Sequence, residues 1–165
     1  MLEISISKAR SGDRLPIYRM LDLYQYELSD IWDQDLDLHG EYGYSLDRFW
    51  SNKACIAYVA RVAGNYAGFA LTHDDVVVGP GGKWMDQFFV LKKYRRQGLG
   101  YALAAKIFSD SPGQWEIGQM SANHAARLFW QSVVGKITGE HYAEFQVSEG
   151  WWQGSVQRFI SVGSE

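Results

Sequence analysis

Cysteine is nearly absent from this chain: Cys55 is the only one among 165 residues. That excludes an intramolecular disulfide and any metal site built from cysteine pairs. Its setting, Ala54-Cys55-Ile56-Ala57-Tyr58-Val59, is apolar and strand-like, so an inert core thiol is the default reading. The histidines His39, His73, His124 and His141 lack zinc-ligand spacing, and no metal is assigned. No apolar run approaches the ~20 residues of a membrane span. The start, Met1-Leu-Glu-Ile, does not read as a signal peptide, so a cytoplasmic setting with no membrane partner is expected. An excess of positive charge is missing as well. The formal net charge is −3, and the basic face of a nucleic-acid binder is not in view. Internal repeats, low-complexity stretches and linkers are absent, so residues 1–165 are expected to form one domain.

Two common phosphate-binding signatures are also lacking. Nothing supplies Gly-x4-Gly-Lys-Ser/Thr, and Gly98-x-Gly100 has Leu103 where a dinucleotide fingerprint requires its third glycine. What is present is the run Val90-Leu-Lys-Lys-Tyr-Arg-Arg-Gln-Gly-Leu-Gly100. An apolar strand enters a basic turn, and two glycines then open an Ala-rich helix. The first N–H groups of a helix lack internal partners and carry the positive end of its dipole, so they bind anions. Gly98 and Gly100 allow close approach, and Lys92, Lys93, Arg95 and Arg96 add positive charge. A small polyanion is the expected ligand.

Arg95-x-x-Gly98-x-Gly100 resembles the Arg/Gln-x-x-Gly-x-Gly/Ala signature of the GNAT acetyltransferases. The stretch from Phe88 through Gly100 follows the fuller family pattern, with Lys92 where proline is common. A second family pattern appears in order downstream as Asn123-His-Ala-Ala126-Arg-Leu-Phe129-Trp130.

Periodicity gives the rest of the layout. Strands are expected over 3–9, 54–62, 66–72, 83–91, 115–120, 137–147 and 155–162. Asp13 is expected to cap a helix whose inner face carries Ile17, Met20, Leu21, Tyr24 and Leu28. A short helix is expected over 42–50, and another from Gly98 to about Ser109. A fourth carries Ala126, Phe129, Trp130, Val133 and Val134 inward and stops at Gly135. The order β-α-α-β-β-β-α-β-α-β-β describes an α+β fold with a mixed sheet of about seven strands and about four helices. It is also the GNAT order.

The resemblance implies an acetyl-CoA-dependent N-acetyltransferase that moves acetyl to a primary amine by direct attack in a ternary complex. Backbone groups of Phe88, Phe89 and Val90 would hold the pantetheine arm, with Val90 N–H facing the thioester oxygen. Arg95, Arg96, Gln97, Gly98, Leu99 and Gly100 would cradle the pyrophosphate. Asn123, Phe129 and Trp130 would line the cofactor arm; a plain helix cap is the other reading of Asn123, and a core tryptophan that of Trp130. The family usually has tyrosine at position 130 as the acid for the departing thiolate. Indole cannot fill that role, although a thiol with a pKa of about 8.5 leaves readily by itself. Tyr142, in a late strand, is a substitute.

Alternation puts Asp86 on the face of Phe88 and Val90, and the resemblance implies a carboxylate base at or near this place; an aspartate that merely hydrogen-bonds at a sheet edge is the alternative. From Asp22 to Asp47 there are eight acids and no Lys or Arg, with Trp32, Tyr42 and Tyr44 among them. That run is either a solvated face or the border of a cationic acceptor site. Trp151 and Trp152 are expected in the last inter-strand loop, near the acceptor. The partner is then a small-molecule or peptide amine, and homodimers are frequent in the family. The alternative function is a GNAT-fold acyl-CoA sensor with little catalysis.

Overall fold

The computed structural model describes residues 2–164. Its elements run β1 (Ile4–Lys8), α1 (Arg14–Trp32), α2 (Arg48–Ser51), β2 (Ile56–Val62), β3 (Asn65–His73), β4 (Lys83–Val90), α3 (Leu99–Asp110), β5 (Gly113–Gln119), α4 (His124–Thr138), β6 (Ala143–Val147) and β7 (Gly154–Ser161). This is the expected α+β order. The sheet order is β1-β2-β3-β4-β5-β7-β6. It is mixed, because β4 and β5 run parallel while β1–β2, β5–β7 and β6–β7 are antiparallel. By internal packing the chain divides into two units, Met1–Leu71 with Gln87–Gly100, and Thr72–Asp86 with Tyr101–Glu165.

In the first unit, β2 and β3 are joined by Ala63 and Gly64 at φ +47° and +80°. Two successive positive φ values make the tight turn whose twist suits a hairpin. The apolar stripe of α1 closes this unit: Ile17, Met20 and Leu21 pack with Val59, Phe69, Leu71 and Phe89. Fully burying each such side chain contributes about 1.5–3 kcal/mol. Cys55 belongs to this core, as its apolar setting suggests. Two expectations fail here. Asp13 does not cap α1 through its side chain; its carboxylate instead accepts from Arg10 N–H at 2.8 Å, Tyr66 Oη at 2.6 Å and Arg61 at 2.5 Å. Burial acts to raise Asp13, but these donors outweigh it and hold the carboxyl below its ordinary range. The helix expected over 42–50 shrinks to the single turn α2, since Gly43 at φ +77° interrupts it.

In the second unit, Phe108 anchors the core with ring centroids 4.9 Å from Trp115, 5.0 Å from Phe159 and 6.3 Å from Trp130. The indole N–H of Trp115 reaches Ser111 O at 2.8 Å, so its polar edge is satisfied inside the core. Helix α4 does not stop at Gly135. It runs to Thr138 and ends on Gly139 at φ +59°, whose N–H reaches Gly135 O. A C-terminal stop needs a left-handed residue, and Gly139 supplies it. A Cβ on Gly135 would lie 2.4 Å from Glu140 Oε1, so that glycine serves close packing instead. The strand expected over 137–147 therefore shortens to β6.

Glu116 is fully buried and gathers the loop that follows β3. It accepts from the N–H groups of Val77, Val78 and Gly79 at 2.7, 2.8 and 2.9 Å and from Arg158. Charged acceptors make the stronger hydrogen bonds, so this carboxylate fixes the approach to β4.

Candidate active site

Along β4 the side chains alternate. Met85, Gln87 and Phe89 are buried, whereas Asp86, Phe88 and Val90 are only partly so, the two-residue period expected of a strand. The parallel ladder with β5 is short, covering Lys83↔Trp115 and Trp84↔Glu116. β4 continues for six residues past it, to Val90.

At the end of β4, Leu91 N–H donates to Ala67 O at 2.9 Å. Because backbone groups of successive strand residues point to opposite edges, the N–H and C=O of Val90 face away from β3. The Val90 carbonyl accepts from Arg95 Nε at 2.7 Å. Gly68 lets β3 come this close, since a Cβ there would sit 2.5 Å from Phe89 O. Phe89 itself packs 5.5 Å from Tyr24 and 6.0 Å from Phe69. Its side chain is core, and by the same alternation its N–H and C=O point toward β3 rather than to the edge that Val90 presents.

The Arg95 side chain, one of the positive charges near the turn, is engaged within the protein. Its guanidinium grips Glu27 of α1 at 2.7 and 2.6 Å and lies over the Phe89 ring at 5.4 Å. Hydrogen bonding from Arg95 is the main reason the Glu27 carboxyl is held below its ordinary range. With three of its donors directed at Glu27 and Val90, the Arg95 side chain joins α1 to the end of β4. Its own N–H turns back to Lys92 O at 3.2 Å.

The turn beyond is shaped differently. Arg95 is extended at φ −72°, Arg96 has φ +59° and Gly98 φ +83°, while Gln97 between them lies outside the positive region. Alternating handedness turns successive N–H groups toward one side, the geometry of an anion-binding nest. Arg96, Gln97 and Gly98 are exposed, and the Leu99 side chain is buried. Beside Gly98, the space a Cβ would enter is open. Gly100 then lies in the first turn of α3, where N–H groups have no intrahelical acceptor.

In the second unit, Asn123 precedes α4 and its Oδ1 accepts from Ala126 N–H at 3.3 Å, so the cap reading holds for that oxygen. Phe129 is partly buried, 5.0 Å from the Trp130 ring. Trp130 is 5% exposed against Phe108, a core tryptophan. Tyr142 is partly buried and lies just before β6 rather than within a strand. Asp86 Oδ1 stands 3.5 Å from Nε2 of His73, a buried histidine at the end of β3. Trp151 and Trp152 both pack on Trp84, at 5.2 and 5.4 Å.

Sequence reasoning missed Gly68, Glu27 and His73. Gly68 had a signal, since a glycine inside a strand pattern marks close backbone approach. Glu27 and His73 had none, because their partners are distant in sequence.

A model of the acetyltransferase (GNAT) family matches residues 18–135. The chain belongs to that family. No curated protein sequence matches it. Among solved structures it resembles an acetyltransferase from Thermus thermophilus, with 12% identity, a TM-score of 0.68, and 96% of this chain and 97% of that one covered. The ribosomal-protein-S18-alanine N-acetyltransferase of Escherichia coli is 16% identical with a TM-score of 0.62, covering 99% and 97%. An aminoglycoside acetyltransferase from an uncultured soil metagenomic sample, in complex with sisomicin, is 14% identical with a TM-score of 0.63, covering 91% and 95%. At these identities the likeness concerns the fold. It leaves the GNAT acceptor unspecified, because one fold hosts many substrates. No helix among the described residues is long and apolar enough to cross a membrane, and no group of three or more potential metal ligands occurs among them.

Proposed function

We propose that this GNAT protein is an acetyl-CoA-dependent N-acetyltransferase acting on a primary amine. The observation that carries the reading is the turn from Arg95 to Gly100, with its alternating φ signs and open flank at Gly98. Family membership makes the diphosphate of CoA the natural anion for such a turn. When bound, acetyl-CoA supplies an activated acyl group on a good leaving thiol.

The chain's residues then have separable tasks. N–H groups of residues 96–100 hold the diphosphate, helped by the positive end of α3. Val90 N–H, turned away from β3, donates to the acetyl oxygen as negative charge gathers there, and Arg95 keeps the Val90 peptide in place. Asp86 takes the proton released by the amine nitrogen as its bond to the acetyl carbon forms. The carbon–sulfur bond breaks with its electron pair on sulfur. General acid–base help is worth about 10²–10⁴-fold, and preorganised donors add a comparable factor. The family's tyrosine acid is therefore dispensable, and Tyr142 is an alternative proton donor. The acceptor is a small-molecule or peptide amine; two structural neighbours are named for a ribosomal protein alanine and for aminoglycosides.

Calorimetric titration with acetyl-CoA tests the cradle. The parent is expected to bind, and Gly98→Glu, which puts a carboxylate into the nest, to bind at least about 100-fold more weakly (the loss of two charge-assisted hydrogen bonds at about 1.5 kcal/mol each). Equal affinity in a folded variant would remove the cradle assignment. A second reading, an acyl-CoA-binding module with little catalysis, is favoured by buried Trp130 at the family's tyrosine position. Release of CoA thiol over a panel of amines separates the two: binding without turnover on any amine supports the module.

A further inference from the structure

The second unit holds a cluster around Asp86 of which the proposed chemistry uses that carboxylate alone. His73 is 3% exposed and sits between two carboxylates, with Nε2 3.5 Å from Asp86 Oδ1 and Nδ1 3.8 Å from Asp75 Oδ2. Its tautomer follows from a third contact. Asp75 N–H donates to Nδ1 at 3.1 Å, so Nδ1 is an acceptor and the ring hydrogen belongs on Nε2, directed at Asp86. The ring thus lies against the Asp86 carboxylate and limits where it can turn. Trp151 lies 6.1 Å from the His73 ring, edge-on to Trp84, yet is 58% exposed. Trp84, fully buried beneath, holds the exposed indole in place. An exposed indole thus neighbours a histidine flanked by two carboxylates, and both the aromatic ring and the carboxylates attract cations.

We propose that His73, Asp86 and Trp151 form the subsite for the acceptor's ammonium group. Asp86 pairs with the cation, Trp151 offers the aromatic face it rests against, and His73 is a positioning residue that fixes the Asp86 carboxylate. The acceptor class is then a compact primary alkylammonium, bound charged; it loses one proton to water to free its lone pair and the second to Asp86 as the nitrogen–carbon bond forms, and a neutral alcohol of the same shape is rejected. This rests on the acetyltransferase reading, which it deepens by naming how the amine is recognised.

The test titrates 1,4-diaminobutane and its neutral isostere 1,4-butanediol into the full chain, with and without CoA, by calorimetry. Saturable binding of the diamine and none of the diol is expected. Trp151→Leu should weaken the diamine about 2–30-fold, the range of a cation–π contact, and Asp86→Asn at least about tenfold, as a lost charge pair does. His73→Leu should weaken it about 2–10-fold, the range of one lost hydrogen-bond donor, while His73→Gln, which retains an N–H donor, should recover most of the loss; a merely structural histidine would show no such donor-dependent rescue. Acetyl-CoA titration of the same variants keeps the two ideas apart. Unchanged acetyl-CoA affinity alongside lost diamine binding supports the subsite. Absent diamine binding by the parent, equal binding of diol and diamine, or a Trp151→Leu variant that binds like the parent overturns it while leaving the transferase standing. Failure of the parent to bind acetyl-CoA removes the underlying reading.

Discussion

Helices α3 and α4 begin in opposite ways. At α4, Asn123 turns its side-chain oxygen onto Ala126 N–H, and Asn123 N–H itself reaches Met120 O at 2.8 Å. At α3, the preceding residue is Gly98, with no side chain to offer and φ +83°. Among the described residues no side chain accepts from the N–H groups of residues 99–102. Both starts lie in segments that match family patterns, yet one start takes a side-chain cap and the other does not. Capping stabilises a helix by about 1 kcal/mol; a bare start forgoes that stability, and bare helix N–H groups are of the kind that anions bind.

This contrast can be broken by exchanging the two behaviours. The largest effect is expected from Gly98→Glu, whose loss of acetyl-CoA affinity should far exceed its change in stability. The stability cost, about 1–2 kcal/mol, comes from a side chain forced into the left-handed region, readable as a lower denaturant midpoint. Gly68→Ala comes next. Its Cβ would press on Phe89 O at 2.5 Å, and such overpacking costs about 1–3 kcal/mol; because the strain falls on the backbone beside Val90, acetyl-CoA binding should weaken too.

Glu27→Gln should cost about 1 kcal/mol, discounted because the pair is about one-third exposed. It also has a pH signature. Arg95 holds the folded Glu27 carboxyl below its ordinary value of 4.5, so the pair's stabilisation is present above that pH and disappears as pH falls through the folded value. Denaturation midpoints of parent and variant should differ at pH 7 and converge in acid. A constant difference across that range would rule out the ion pair as the cause. The smallest change in ligand affinity is expected of Asn123→Ala, which should lower stability by about 1 kcal/mol with acetyl-CoA affinity nearly unchanged. A large affinity loss there would mean that α4 also reaches the cofactor.

The acidic run from Asp22 to Asp47 shows why local charge patterns are hard to read. Asp37 Oδ1 accepts from the N–H groups of His39 and Glu41 at 2.8 and 2.9 Å, Asp47 pairs with Arg14, and Glu27 pairs with Arg95. These acids shape their own loop or hold a distant base. Composition registers their charge, but their partners depend on the fold.

Reading α4 as stopping at Gly135 went wrong for a related reason. Either glycine satisfies the local rule for a helix end, and the choice rested on Glu140 folding over Gly135 while Gly139 took the left-handed conformation. Trp130, by contrast, was legible as core because it belongs to an unbroken 3.6-residue stripe. The junction of β4 and α3 with its glycines was legible too, since glycine spacing and a strand-to-helix boundary are local facts.

The sequence alone determined the order of elements, the alternation that sets Asp86, Phe88 and Val90 on one face of β4, and the glycines that leave the start of α3 bare. These follow from periodicity and backbone freedom, which act over a few residues. Only the tertiary structure decided that Arg95 serves Glu27 and Val90, that His73 stands beside Asp86, and that Gly68 admits the backbone of β4. Each of those depends on groups far apart along the chain meeting within hydrogen-bond or van der Waals distance, and no local pattern encodes such a meeting.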